Sequence, residues 1–227
     1  MRLIKTKDLH YFIYQKKIIN VIDFGFHAGQ LENSIRSIYS NKYRMVAFEA
    51  NPIFKKIKKG KLYNYLIAKE SGKTKDFWLD ENNSGASSAI FKKKSKKIKV
   101  KTISLYDAYK LSHFKTIDLL KIDIEGSEYE ILNKSSLNFL KKNTLQIAVE
   151  FHAFLNINLE KKTAKIINLF KDNFYIFKFS FFTSGSMLFV NKNFYKLRFY
   201  NFFYIYLIKF FLGFKRFMIR KIKNMVI

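Results

Sequence analysis

The sequence predicts an α/β fold, with a mainly parallel sheet and an antiparallel pair at one edge. Three observations carry this. Short apolar runs alternate with segments of helical periodicity through most of the 227 residues, the pattern of strands joined by crossover helices. An apolar run at 18–24 meets Gly25 and leads directly into a helix-like segment. Two late strand-like runs flank Thr183-Ser184-Gly185, a turn signal that joins antiparallel neighbours. The length suffices for one filled core, and no internal repeat interrupts it.

The elements follow in order. Residues 18–24 read as a strand, and 28–39 as a helix with Leu31, Ile35 and Ile38 at helical spacing. Residues 45–49 form a second strand; Asn51-Pro52 then opens a helix, proline being tolerated in a first turn. A third strand covers 61–67. Shorter strands at 73–79 and 98–103 flank a polar loop at 80–88 and a basic, solvated run at 92–99. A helix at 104–111 precedes two apolar strands, 116–122 and 144–151, joined by a helix over 128–140. Another helix at 158–170 leads to an aromatic core strand, 174–182, and its hairpin partner, 186–191.

Composition narrows the chemistry. With no cysteine, neither a disulfide framework nor a thiolate metal site can form. The opening residues lack the apolar run of a secretory signal, so a cytoplasmic location is expected. Lys and Arg number 43 against 17 acids, a net charge of +26, which points to an anionic partner. The chain is also rich in Lys, Asn, Ile, Phe and Tyr, residues of adenine- and thymine-rich codons, so coding bias is a competing source of that charge.

Three constellations fall at the ends of predicted strands, where open α/β sheets bind ligands. The first is the turn with Asp23, Gly25, His27 and Gly29; the second is Glu49 with Asn51. Gly25 turns without a Cβ clash, Gly29 admits the helix close to a ligand, and Glu49 is placed to take both hydroxyls of a ribose. A dinucleotide wants Gly-x-Gly-x-x-Gly, whereas this turn has only Gly-x-x-x-Gly, so a cofactor with one ribose and no pyrophosphate fits better: S-adenosylmethionine. In the third, an apolar strand delivers Lys121, Asp123 and Glu125 to one side of the sheet mouth, charges that are costly to bury unpaired. Asp123 and Glu125 could instead only favour the positive end of the next helix. Glu150 and His152 follow the next strand in the same way. His10 and His113 have no partner pattern and are expected at the surface.

On these residues the chain resembles the FkbM family of S-adenosylmethionine-dependent methyltransferases. The similar pieces are Asp-Phe-Gly-Phe-His-Ala-Gly at 23–29, Ala-Phe-Glu-Ala-Asn-Pro at 47–52, Val-Lys-Thr-Ile-Ser-Leu at 100–105, Leu-Leu-Lys-Ile-Asp-Ile-Glu-Gly-Ser-Glu at 119–128 and Val-Glu-Phe-His at 149–152. The family usually has Gly-Ala-Asn before its second glycine and Glu-Pro-Asn-Pro after its second strand; Phe26-His27 and Ala50 depart from that. The resemblance implies a Rossmann-like class I fold with a seven-stranded sheet closed by the hairpin, and O-methylation of a sugar, glycan or other small-molecule hydroxyl. Asp123 is then the leading candidate to orient the acceptor or take its proton, with Glu125, Glu150 and His152 next and Lys121 pairing with a carboxylate or steadying an acceptor oxygen. A divalent metal would suit such carboxylates, but no ligand spacing fixes one.

The domain so defined is 1–192, followed by a tail, 193–227, with no acid, eight Lys or Arg and twelve Phe or Tyr. Phe203, Leu207, Phe210, Phe214 and Phe217 recur at steps of four and three, an apolar helical face, with Lys209, Arg216, Arg220 and Lys223 on another. Its apolar run falls short of the about 20 residues a spanning helix needs. A helix lying on an anionic membrane, on the cytoplasmic face, fits it; packing on the protein or a dimer contact is the plainer alternative. Two further readings compete: an RNA methyltransferase, for which no recognition motif is present, and a non-catalytic membrane adaptor.

Overall fold

The computed structural model describes residues 1–17, 19–80, 87–88, 95–153, 157–179 and 185–225. The chain begins with a small antiparallel hairpin, β1 (Leu3–Lys5) and β2 (Tyr11–Ile13). Then come β3 (Ile19–Phe24), α1 (Gln30–Tyr39), β4 (Tyr43–Phe48), β5 (Lys61–Tyr63), β6 (Leu66–Ala68), β7 (Thr74–Asp80), β8 (Ser87–Ser88) and β9 (Ser95–Ser104). The second half holds α2 (Leu105–Ser112), β10 (Leu119–Ile122), α3 (Glu128–Ile131), α4 (Lys134–Asn143), β11 (Gln146–Glu150), α5 (Ile157–Phe170), β12 (Phe174–Lys178), β13 (Ser186–Asn191) and α6 (Phe199–Met225).

The main sheet runs β12-β13-β11-β10-β3-β4-β5. From β11 to β5 every pairing is parallel, while β13 is antiparallel to both β11 and β12. Strict alternation sorts its side chains. Ile22, Phe24, Val46, Phe48, Leu120, Ile122, Ile147 and Val149 face a core completed by residues of α2, α4 and α5. Val21, Met45, Leu119 and Ala148 face the other way, against α1 and the hairpin residues Ile4 and Phe12. Burying each of the larger side chains contributes roughly 1.5–3 kcal/mol, and a one-residue slip in any central strand would exchange the two faces and lose it.

Several segments differ from the sequence expectation. The hairpin at 3–13 was not anticipated, because two three-residue strands carry too little periodicity to read. Residues 52–60 form a turn at 52–53 and irregular chain after it rather than a helix: the backbone N–H groups of Lys58 and Lys59 donate to the Glu32 carboxylate at 3.1 and 2.7 Å, so they do not need a helical ladder. The expected strand at 61–67 bends at Asn64, whose side chain donates to the Glu49 and Phe54 carbonyls, and splits into β5 and β6. β6 leaves the main sheet and joins a second one, ordered β6-β9-β7-β8. The run at 92–99 is therefore strand rather than loop from Ser95 onward. The expected helix over 128–140 is two, because Asn133 and Ser136 form a reciprocal cap that starts α4 afresh. Of the expected hairpin turn, residues 183 and 184 lie outside the described residues, as do 180–182 of the aromatic strand.

Among the described residues, the tail helix α6 is docked through the side that carries Ile205. Ile205 is fully buried beside Phe177, Phe179, Leu188 and Val190, with Phe202 and Ile208 packed around them. The hairpin residues Leu3, Tyr11 and Ile13 share that cluster, and the Tyr11 ring stacks on Phe179 at 3.8 Å.

Candidate active site

β3 ends in a turn that only glycine permits. Gly25 has φ +87°, and a Cβ built there would lie 1.7 Å from the Asp123 carbonyl oxygen. The chain leaving β3 thus touches the chain leaving β10. The Gly25 and Phe26 N–H groups both donate to the Phe48 carbonyl at the end of β4, which ties three strand ends together. Gly29, at φ +76°, then opens α1.

Glu49 follows β4 and is fixed from both sides. One carboxylate oxygen accepts the His27 N–H at 2.7 Å and the other the Asn51 N–H at 2.8 Å, leaving a further lone pair on each. Beside it opens a cavity of about 270 Å³. Its lining includes Gly25, His27, Gln30 and Glu49, the apolar Phe48, Ala50, Tyr65, Ile67 and Phe77, and the charged Asp8, Lys121, Asp123 and Glu125. The His27 ring, packed on Phe54 and hydrogen-bonded to Gln30, is part of the wall. Asn51 is buried behind it, its side-chain oxygen accepting the Ile53 N–H. Asp23 is likewise fully buried beneath the turn.

Around Lys121 and Asp123 the charges interlock. The Lys121 ammonium lies 3.3 Å from Asp23 and 3.5 Å from Asp123, and donates to the Gly25 carbonyl. Asp123 sits between two imidazoles: His10 Nε2 is 3.3 Å from its Oδ2, and His152 Nε2 is 3.7 Å from its Oδ1. His10 also lies 3.9 Å from Glu150, and His152 3.6 Å from Glu125. Behind His152, the buried Glu128 holds Nδ1 at 2.9 Å and accepts the His152 and Gly126 N–H groups. The five sequence-selected residues Lys121, Asp123, Glu125, Glu150 and His152 thus converge on one spot.

Two participants escaped the sequence reading. His10, expected at the surface, is completely buried. The hairpin packs on the face of the sheet from which Asp23, Lys121 and Asp123 project, and its bend delivers the ring there. Nothing local signals this, since its partners lie more than a hundred residues away. Glu128 stands inside the motif at 119–128 and was visible as a residue; its role as the anchor of His152 was not.

The electrostatics divide the groups. Burial raises Asp23 to about 6 against the pull of Lys121. Burial disfavours the Lys121 charge too, but Asp23 and Asp123 outweigh it and push its value upward. Burial also opposes ionisation of Asp123, yet Lys121, His10 and His152 hold its carboxyl well below the ordinary range. Glu150 moves the opposite way, raised by burial and by the Asp123 charge. His152 overcomes its burial through Glu125 and Glu128 and is pushed up to about 10, so it stands as a protonated donor at neutral pH. Among the charged residues that line the cavity, the acids Asp8, Glu49, Asp123 and Glu125 outnumber Lys121. A chain of net charge +26 therefore keeps a negative pocket, suited to a cationic ligand. The triplets His10–Asp123–Glu150 and Asp123–Glu125–His152 each bring ligand atoms within 4.8 Å of one another, but a cation on the second would have to displace the proton that Glu125 and Glu128 hold on His152.

Comparison with known families decides the lineage: a model described as the methyltransferase FkbM domain matches residues 23–177. The chain belongs to the FkbM methyltransferase family. Its mixed α/β architecture with a mostly parallel sheet is consistent with a methyltransferase fold. The FkbM match starts at the glycine turn and ends in β12, so the hairpin carrying His10 and the helix α6 both lie outside it. No curated protein matches the chain.

Proposed function

We propose that this FkbM methyltransferase uses S-adenosylmethionine to methylate a hydroxyl on a sugar, glycan or lipid-linked acceptor. The observation that carries the reading is the Glu49 carboxylate, held by two backbone N–H groups on the wall of a cavity that leads straight to the Asp123 cluster. The residues fit the cofactor. Glu49 keeps lone pairs for a ribose diol, the apolar Phe48, Tyr65, Ile67 and Phe77 suit a purine, and the negative charge of the lining suits a sulfonium. The strand order β5-β4-β3-β10-β11-β13-β12 supports a Rossmann-like class I arrangement for 1–192, with 193–227 as an appendage.

S-adenosylmethionine, when bound, supplies an electrophilic methyl group. Asp123, kept ionised by Lys121 and the two histidines, accepts a hydrogen bond from the acceptor hydroxyl and orients it. Glu150, with its raised proton affinity, would take the proton that the acceptor hydroxyl gives up as it is methylated. His152, protonated and anchored on Glu128, fixes Asp123 and Glu125. The apolar walls limit water, and alignment of the hydroxyl supplies much of the acceleration.

Calorimetric titration of the protein and of Glu49→Ala with S-adenosylmethionine tests this. Micromolar binding that weakens about tenfold or more in the variant is expected. A folded protein that gives no heat and no thermal shift would refute the reading and favour a non-catalytic adaptor.

A further inference from the structure

A soluble domain rarely leaves a continuous run of aromatic side chains in water, yet α6 does so while being firmly oriented. Its inner side, Phe202, Ile205 and Ile208, is committed to the cluster over β12 and β13. The opposite side carries Phe199, Phe203, Leu207, Phe210, Phe211 and Phe214, with exposures running from 41% at Leu207 to 86% at Phe199. The spacing of Phe203, Leu207, Phe210 and Phe214 makes them one stripe. Docking of the helix therefore does not consume its apolar face; it presents that face outward.

Two properties select the occupant. From Asn193 to the end of the sequence there are eight Lys or Arg and no acid, so a partner with negative charge is complemented and a second copy of this helix is repelled. Lys178 on β12 adds to that charge: burial, and then the closeness of Lys178, lowers the proton affinity of Lys209. No helix among the described residues is long and apolar enough to cross a membrane. Aromatic side chains flanked by Lys and Arg are what an acyl–headgroup boundary accepts, and anionic headgroups attract the basic residues further.

We propose that α6 is an interfacial anchor that lays its Phe203–Leu207–Phe210–Phe214 stripe into the surface of an anionic lipid bilayer. This binding needs no cofactor, so it stands or falls separately from the methyltransferase reading.

The test is co-sedimentation of the full chain with phosphatidylcholine vesicles, with and without phosphatidylglycerol. The companion variant is Phe203→Ser/Phe210→Ser/Phe214→Ser, which alters only exposed positions. The intact chain is expected to bind the anionic vesicles at least tenfold more tightly than the neutral ones, and to weaken as salt is raised. The triple variant, with an unchanged melting temperature, is expected to lose tenfold or more on anionic vesicles. Three results would overturn the proposal: no binding to anionic vesicles, equal binding by the triple variant, or a concentration-dependent dimer in analytical ultracentrifugation that the triple variant abolishes. The last would assign the stripe to a second copy of the chain.

Discussion

His10 Nε2 lies 3.3 Å from Asp123 Oδ2, a contact between residues 113 positions apart. It joins a hairpin outside the FkbM match to the carboxylate that Lys121 and the two histidines hold below its ordinary range. Replacing His10 with Phe, which keeps the bulk, is expected to lower kcat about ten- to a hundredfold, less than the loss of a positioned acid or base, because His10 acts through Asp123. The dissociation constant for S-adenosylmethionine should stay within about threefold. His10→Gln, which restores a donor, should recover part of the loss. A variant whose cofactor affinity falls as far as its turnover would place His10 in cofactor binding instead.

The contact of Gly25 with the Asp123 carbonyl has a steric consequence that two other glycines calibrate. At Gly72, also at positive φ, an added Cβ meets nothing within 4 Å, so Gly72→Ala should cost only the backbone strain of about 1–2 kcal/mol. At Gly29 the neighbour is the Phe26 ring at 3.0 Å, which can yield. Gly25→Ala should cost clearly more than either, about 3 kcal/mol or above, because the two strand ends must separate. Urea unfolding of the three variants measures the order; equal costs would contradict it.

For His152 the folded value of about 10 lies above its ordinary 6.5. The stabilisation from Glu125 and Glu128 is therefore complete below about pH 6.5 and is lost as pH rises toward 10. Between those limits the unfolding free energy of the protein should fall more steeply than that of His152→Gln, and the two curves should converge at the alkaline end. Parallel curves in chemical denaturation from pH 6 to 10 would show that the ring is not held protonated.

Lys121 and Asp23 should behave as a coupled pair. Lys121→Met leaves a buried carboxylate without its ammonium and is expected to cost about 3 kcal/mol or more. Adding Asp23→Asn removes the stranded charge and should restore at least about 1 kcal/mol of that loss. Strictly additive destabilisation in the double variant would mean that the two do not interact.

The sequence reveals what repeats locally and hides what depends on distance. β3, β4, β10 and β11 are legible because each is an apolar run ending in a glycine or an acid, and the same endings place Gly25, Glu49, Asp123 and Glu150 at one edge of the sheet. The second sheet is not, because a lone polar residue, Asn64, inside the run 62–67 does not mark where β5 ends and β6 turns away. The break at Asn133 loses to the longer hydrophobic period around it, although Asn-x-x-Ser is a capping pattern. His10 has no local mark at all; its burial is decided by the face on which the hairpin lands. In α6 the periodicity identifies Phe203, Leu207, Phe210 and Phe214 as one stripe, but it cannot say that a second stripe, through Ile205, already holds the helix to the protein.

The hairpin has one more property, which concerns the order of synthesis. Ile13 exchanges both of its backbone hydrogen bonds with the Gln146 side chain, at 2.7 and 3.0 Å; Leu9 accepts one from Ser186, and Tyr11 lies on Phe179. A ribosome releases residues 3–13 well before any of these partners exists. The pairing that seats His10 spans most of the chain, and contacts of such separation form slowly because a long loop must close first. Residues 3–13 wait in the nascent chain, and the carboxylate cluster is completed only when β11, β12 and β13 have assembled to receive them.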